Sequence, residues 1–247
     1  MYRFFVSPEN ICGNDIYIEG QDVNHIKNVL RMRIGEEVSV VTEGGDKEYR
    51  CEIAGYEDKL VRLKLRFIKE EDVELPNRIY LFQGLPKGDK MELIIQKAVE
   101  LGVYEIIPVC MKRSVVKYDK KKEESKIARF NGISEAAAKQ SMRRIIPKVT
   151  GVMSFIDAVG YCKDIDVKLL PYELADMDAM EHTRELLSGI KKGRSVALFI
   201  GPEGGFDEAE VSLAKESGFD TITLGHRILR TETAGLAVLS WLVYLLE

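Results

Sequence analysis

Cysteine and histidine are the scarce residues of this chain, and their scarcity excludes whole classes of function. Four cysteines, Cys12, Cys51, Cys110 and Cys162, are spread through 247 residues with no CxxC pair. Such spacing argues against a disulfide framework or a zinc ribbon and fits reduced thiols, so a cytoplasmic protein is expected. The three histidines are equally dispersed, and no metal is expected. The longest apolar run, "LAVLSWLVYLL", has 11 residues, short of the roughly 20 that cross a bilayer. It reads as a buried C-terminal helix rather than a membrane anchor. The N-terminus, "MYRFFVSPEN", lacks a basic stretch followed by an apolar one, so no signal peptide is expected. Both common nucleotide signatures, GxxxxGK[ST] and GxGxxG, are missing, and there are no internal repeats.

What is present is enough apolar residue, 45 %, to build a real core under a surface rich in charge. The net charge of −4 argues weakly against nucleic acid, but its distribution argues the other way. Residues 1–72 carry −4, residues 76–150 carry +8 and residues 151–247 carry −7. One strongly basic stretch inside an acidic chain is the footprint of a phosphate-binding face. The run "KYDKKKEESK" within it is equally well read as a solvated helix surface.

The first 72 residues read as short strands with β-branched and aromatic enrichment. "VRLKLRFI" alternates apolar and basic, the pattern of a half-buried strand. With one helical insertion, "DVNHIKNVLRM", these strands suggest a small barrel. "EEDVELPN" is the expected linker, after which strands alternate with helices. "RIYLFQGL", "YEIIPVC", "VKLLPYE", "SVALFI" and "TITLG" are short apolar strands, which predicts an α/β domain with a mainly parallel sheet. Asp89 followed by Glu92 predicts a capped start for the helix "DKMELIIQKAVELGV", and Thr231 or Thr233 is placed to cap the last helix.

In open α/β sheets, ligands bind beyond the carboxyl ends of the strands. Three such ends stand out: "LLPYE" (169–173), "FIGPEGGF" (199–206) and "TLGHRILRTETA" (223–234). The glycine-rich loop carries an acid, Glu203, and no lysine, so it is not a phosphate loop; by itself it is equally well a tight turn. In the third segment Arg227 and Arg230 offer forked donors, and Glu232 offers a carboxylate for an ammonium group or a proton.

Together "IGPEGGF…LGHRILRTETA", "NHIKNVLRMRIGE", "QGLPKGDKMELIIQKAVELGV" and "EAAAKQSMRR" closely resemble the RsmE family of ribosomal RNA methyltransferases, in the SPOUT superfamily. The likeness runs through nearly the whole chain in order. One departure is Lys139, where the family often has a carboxylate. The resemblance implies a PUA-like β-barrel RNA-binding domain over 1–72. It also implies an α/β SPOUT domain over 76–247, whose parallel sheet ends in a deep trefoil knot. The implied cofactor is S-adenosylmethionine, which has no phosphate to neutralise and so needs no loop lysine. The implied pocket comprises Leu170, Pro171, Glu173, Ile200, Gly201, Glu203, Leu224, Gly225, Ile228, Leu229 and Arg230.

The implied reaction is methylation of N3 of a uridine in 16S ribosomal RNA, within the small ribosomal subunit. A weakly acidic N3–H needs a base, or cationic stabilisation of the anion that develops. Arg230 is the expected stabiliser, and Glu203 the carboxylate near the reacting centre, with Glu232 its competitor; His226 reads as locally bonded. RNA contacts are expected from Arg3, His25, Lys27, Arg31 and Arg33, and from Lys87, Lys90, Arg113, Lys139, Arg143 and Arg144. The all-round apolar helix around Trp241 suggests burial on two sides, as in a homodimer. An RNA-binding module without catalysis, and a different nucleotide-using α/β enzyme, remain the competing readings.

Overall fold

The computed structural model describes residues 1–70, 73–172 and 179–247. They form two compact units. One contains Met1–Glu74 and Ala138–Ile146; the other contains Leu75–Ala137 and Pro147–Glu247.

The first unit is a six-stranded sheet of β1 (Tyr2–Phe5), β2 (Ile11–Cys12), β3 (Asp15–Glu19), β4 (Glu37–Val41), β5 (Glu48–Tyr56) and β6 (Leu60–Lys69). Their order is β1-β4-β5-β6-β3-β2, antiparallel except for the β1–β4 pair. In β6, Val61 and Leu63 point into the core while Arg62, Lys64 and Arg66 face water, as the alternation predicts. The alternation breaks at Phe67 and Ile68, which are both exposed. Phe4, Ile16, Ile18, Val38, Val40, Ile53 and Leu63 fill the interior, each fully buried side chain contributing about 1.5–3 kcal/mol. The helical insertion is a short α1 (Gln21–Asn24) continued by a π turn over His25–Val29, with Ile26 as its buried anchor.

The segment Ala138–Ile146 is held on this unit by ion pairs. Glu48, 3 % exposed, accepts from Ser39 Oγ at 2.7 Å and pairs with Arg3 Nη2 and Arg50 Nε at 2.6 Å. Arg3 also donates to the carbonyls of Met142 and Arg143. Glu74 accepts from Arg143 Nε at 3.1 Å and from the Arg144 and Ile145 amides. Lys139 Nζ lies 2.9 Å from both carboxylate oxygens of Asp22.

The second unit contains β7 (Arg78–Gly84), α2 (Lys90–Glu100), β8 (Glu105–Cys110), α3 (Lys120–Gln140, whose end belongs to the first unit), β9 (Lys148–Val149), β10 (Met153–Ser154), α4 (Phe155–Tyr161), β11 (Val167–Pro171), α5 (Ala179–Ser188), β12 (Ser195–Ile200), α6 (Glu208–Glu216), β13 (Asp220–Ile222) and α7 (Thr231–Leu246). The strand order is β10-β8-β7-β12-β11-β13 with β9 on β8, and every pair is parallel. Phe82 stacks on Phe199 with centroids 4.3 Å apart, and Phe219 meets Phe199 edge-on, tying β7 and β12 to the end of α6.

Helix starts differ from the sequence reading. Asp89 precedes α2 but makes no side-chain cap, and the Glu92 carboxylate pairs with Arg129 Nε at 2.7 Å. The capping box sits instead at α6, where Asp207 and Glu210 satisfy each other's backbone amides. At α7 the cap residue is Arg230; Thr231 lies inside the helix and turns its hydroxyl to the Gly201 carbonyl, 2.6 Å away. Helix α4, capped by Ser154, was not anticipated. Helix α7 buries Ala234, Val238, Leu239, Leu242 and Leu246 within this chain and leaves Tyr244 86 % exposed. Among the described residues no helix is long and apolar enough to cross a membrane.

Candidate active site

Register brings the three strand ends side by side. Leu169 of β11 pairs with Leu198 of β12, so Pro171 stands level with Ile200; Pro171 pairs in turn with Ile222 of β13. On the other side of β12, Ile200 pairs with Gln83 of β7. Four loops therefore leave one edge of the parallel sheet together, where α/β sheets hold ligands. Leu170 and Ile200 are buried, Pro171, Gly201, Leu224, Gly225 and Leu229 are half-buried, and Ile228 and Arg230 are exposed. Glu173 lies outside the described residues.

Glycine is required here by close approach. A Cβ on Gly84 would stand 2.6 Å from the Pro202 nitrogen, and one on Gly201 would stand 3.2 Å from the Gly205 backbone. Gly205 and Gly225 have φ of +67° and +95°, the left-handed region that glycine adopts without strain. The constraint at Gly201 thus begins with closure of the loop itself. Arg113 closes the other flank, its Nη1 donating to the Gly204 carbonyl at 3.1 Å.

At the mouth of these loops lies a small polar network. Glu203 Oε1 accepts from Lys90 Nζ at 2.8 Å and from the Lys87 amide at 3.1 Å. Burial by itself would raise the Glu203 carboxyl, but those donors outweigh it and hold it below the usual range. The hydrogen bond to Glu203 raises Lys90 above the ordinary lysine value. Lys90 Nζ also stands 3.5 Å from Glu232 Oε2, a buried carboxylate oxygen. Beneath them the fully buried Gln83 donates to Thr231 Oγ1 at 2.9 Å, and Thr231 donates onward to Gly201. This chain of bonds fixes the first turn of α7, and with it Glu232, against the glycine loop. Arg230 has no ion-pair partner among the described residues.

The expected RNA contacts divide. His25, Lys27, Arg31 and Arg33 are exposed on the first unit, and Arg31 adopts a left-handed φ of +53°. Lys87 and Arg113 are exposed on the second unit, and Lys90 belongs to the network above. Arg3, Arg143 and Arg144, also expected to contact RNA, are only 3 %, 4 % and 6 % exposed, which leaves them little surface to offer it. A buried guanidinium group is costly unless carboxylates and carbonyls compensate it, and Glu48, Glu74 and the Met142 carbonyl do so for Arg3 and Arg143. Arg144 Nε and Nη2 are buried without a partner among the described residues. Lys139, paired with Asp22, is half-buried as well.

Burial pushes the Cys51 and Cys162 thiols up to about 12. Among the described residues no group of three His, Cys, Asp or Glu could hold a metal.

An RNA methyltransferase domain model matches residues 73–243, and an RNA methyltransferase PUA domain model matches residues 18–66. Ribosomal RNA small subunit methyltransferase E of Bacillus subtilis is 40 % identical over 93 % of this chain and 90 % of its own length. The chain belongs to that family. Among solved structures, the small subunit methyltransferase E of Neisseria gonorrhoeae, bound to S-adenosyl methionine, superposes with a TM-score of 0.81 at 30 % identity. It covers 97 % of this chain and 95 % of the other. A Legionella pneumophila methyltransferase with bound SAM gives 0.82 at 32 % identity, covering 98 % and 96 %. Membership of the methyltransferase E family makes the sheet edge described above the place to look for chemistry. Sequence reading gave no role in the site to Gln83 or Thr231. The available signal was a glutamine at the end of an otherwise apolar buried strand, "RIYLFQG".

Proposed function

We propose that this protein transfers a methyl group from S-adenosylmethionine to N3 of a uridine in 16S ribosomal RNA, acting on the small ribosomal subunit. The observation that carries the reading is the level set of loops after β7, β11, β12 and β13, lined by main chain and glycine, in a chain of the methyltransferase E family. A sulfonium cofactor suits this edge because no phosphate has to be neutralised and two carboxylates, Glu203 and Glu232, stand beside a single lysine. Leu170, Pro171, Ile200, Gly201, Leu224, Gly225, Ile228 and Leu229 would hold it, together with Glu173. When bound, the cofactor supplies an electrophilic methyl on sulfur.

Arg230, exposed and without an ion-pair partner among the described residues, is the donor proposed to stabilise negative charge on the uracil carbonyls. His25, Lys27, Arg31 and Arg33 would position RNA through its phosphates, with residues 1–72 as the RNA-binding domain and 76–247 as the catalytic one. The trefoil knot is supported by β12 entering between β7 and β11, two strands that precede it in the chain. The exposed Tyr244 and Leu245 on α7 support a homodimer through that helix. Four free thiols support a cytoplasmic location.

Incubation with labelled S-adenosylmethionine and small subunits lacking the modification tests the reading, with the methylated nucleoside identified by mass spectrometry. Label in N3-methyluridine is expected. Binding of subunits with no transfer would make the protein a binding module, and failure to bind the cofactor would point to another enzyme class.

A further inference from the structure

Two carboxylates flank Lys90, and their surroundings are unequal. Glu203 Oε1 already accepts two hydrogen bonds, from the Lys90 ammonium and the Lys87 amide. Glu232 is held more loosely: its Oε2 stands 3.5 Å from Lys90 Nζ, against 2.8 Å for Glu203 Oε1. It keeps 16 % of its side-chain surface open. The carboxylate with the weaker hold on Lys90 keeps more accepting capacity, while the one that takes two donors on one oxygen is the better anchor. Its position is also fixed, since Thr231, the preceding residue, is tied to Gln83 and to Gly201.

Uracil presents one ring donor, N3–H, between two carbonyl acceptors. Glu232 beside Lys90 presents an acceptor next to an ammonium, which has three N–H donors and gives only one to Glu203. The two patterns are complementary.

We propose that Glu232 accepts the N3 proton of the target uracil while Lys90 donates to an adjacent carbonyl oxygen, with Glu203 as the positioning residue that holds Lys90. This inference rests on the function proposed above. In the balanced step the N3–H pair stays on nitrogen as the proton passes to the Glu232 carboxylate. That pair forms the N–CH3 bond, and the S–CH3 pair returns to sulfur, leaving a neutral thioether.

The test is single-turnover methyl transfer to small subunits reconstituted with either uridine or 5-fluorouridine at the target. The fluorine acidifies N3–H, so it substitutes for a missing base and not for a missing structural contact. Glu232→Gln is expected to lose about 10²–10⁴-fold on uridine and to recover roughly tenfold or more on 5-fluorouridine. Glu203→Gln should lose less and show the wild-type ratio between the two substrates. Glu232→Asp, which keeps a carboxylate, should retain more activity than Glu232→Gln, and calorimetry should find the cofactor affinity of both within about twofold of wild type. Near-normal rates in Glu232→Gln, a loss that 5-fluorouridine does not recover, or the larger recovery in Glu203→Gln would each overturn the assignment. Wild-type protein that forms no N3-methyluridine would instead overturn the functional reading beneath it.

Discussion

The two units use the same chemical pieces, cations beside carboxylates, to opposite ends. In the first, Arg3, Glu48 and Arg143 are nearly dry, and Glu48 and Glu74 are crowded by donors. In the second, Lys90, Glu203 and Glu232 retain 31 %, 31 % and 16 % of their side-chain surfaces, and Glu232 meets Lys90 only at 3.5 Å. A satisfied, buried ion pair specifies structure. A half-open one, with capacity left over, can bind and react. Position in the charge pattern of the sequence does not separate the two; burial and the count of donors do.

The largest effect is expected where the ion pairs are driest. Glu48→Leu leaves Arg3 buried and uncompensated, and urea melts followed by circular dichroism should show the first unit losing about 3–5 kcal/mol. Reversing Arg143 to Glu should fall in the same class, disturbing folding before it disturbs RNA affinity.

Next comes Arg230→Ala, the substitution meant to touch chemistry alone. Single-turnover transfer should fall about 10²-fold or more, with cofactor and RNA still bound. Lysine should recover only part of it, because it keeps the charge and loses the fork. A stable protein with a near-normal rate would remove Arg230 from the reaction.

The pH dependence of stability sharpens the contrast further. Burial opposes ionisation of Glu48, yet its bonds from Ser39, Arg3 and Arg50 leave its folded pKa depressed. Its contribution is therefore full above the unfolded glutamate value, about 4.3, and is lost as pH falls below that through the folded value. Melts of the wild type between pH 6 and pH 3 should lose stability at the acid end, and Glu48→Gln should flatten that slope. The smallest effect belongs to the exposed cations of the first unit. Lys27→Glu with Arg33→Glu should weaken binding to the subunit and lower the salt slope of log K by about 0.7–0.9 for each phosphate no longer neutralised, without changing the melt.

Much of the fold was legible because apolar runs bounded by glycine mark buried strands directly: "SVALFI" and "RIYLFQG" became the paired β12 and β7. The glycine loop and the arginine-rich segment were legible for the same local reason. What escaped were features set by distant partners. Arg143 looks like a surface cation until Glu74, 69 residues earlier, is seen beside it. Asp89 and Asp207 have equivalent local patterns for capping, but at the first Glu92 pairs with Arg129 and the Asp89 backbone is not extended, so the box forms at the second. Thr231 resembles a cap in sequence and is instead a relay between Gln83 and Gly201, a role that depends on β7 and β12 lying next to each other.

The return of Ala138–Ile146 to the first unit also has a bearing on how the chain matures during synthesis. Arg3 cannot find the Met142 carbonyl, nor Glu74 its arginine, until the ribosome has released a stretch that begins far downstream. At translation rates of about 5–20 residues per second, the interval between emergence of Glu74 and of Ile146 is roughly 4–14 s. During it the strands of the first unit carry the Arg3–Glu48 pair without the segment that covers it. A nascent chain arrested before that segment should therefore be protease-sensitive across β1 and β4, and become resistant once the segment is out.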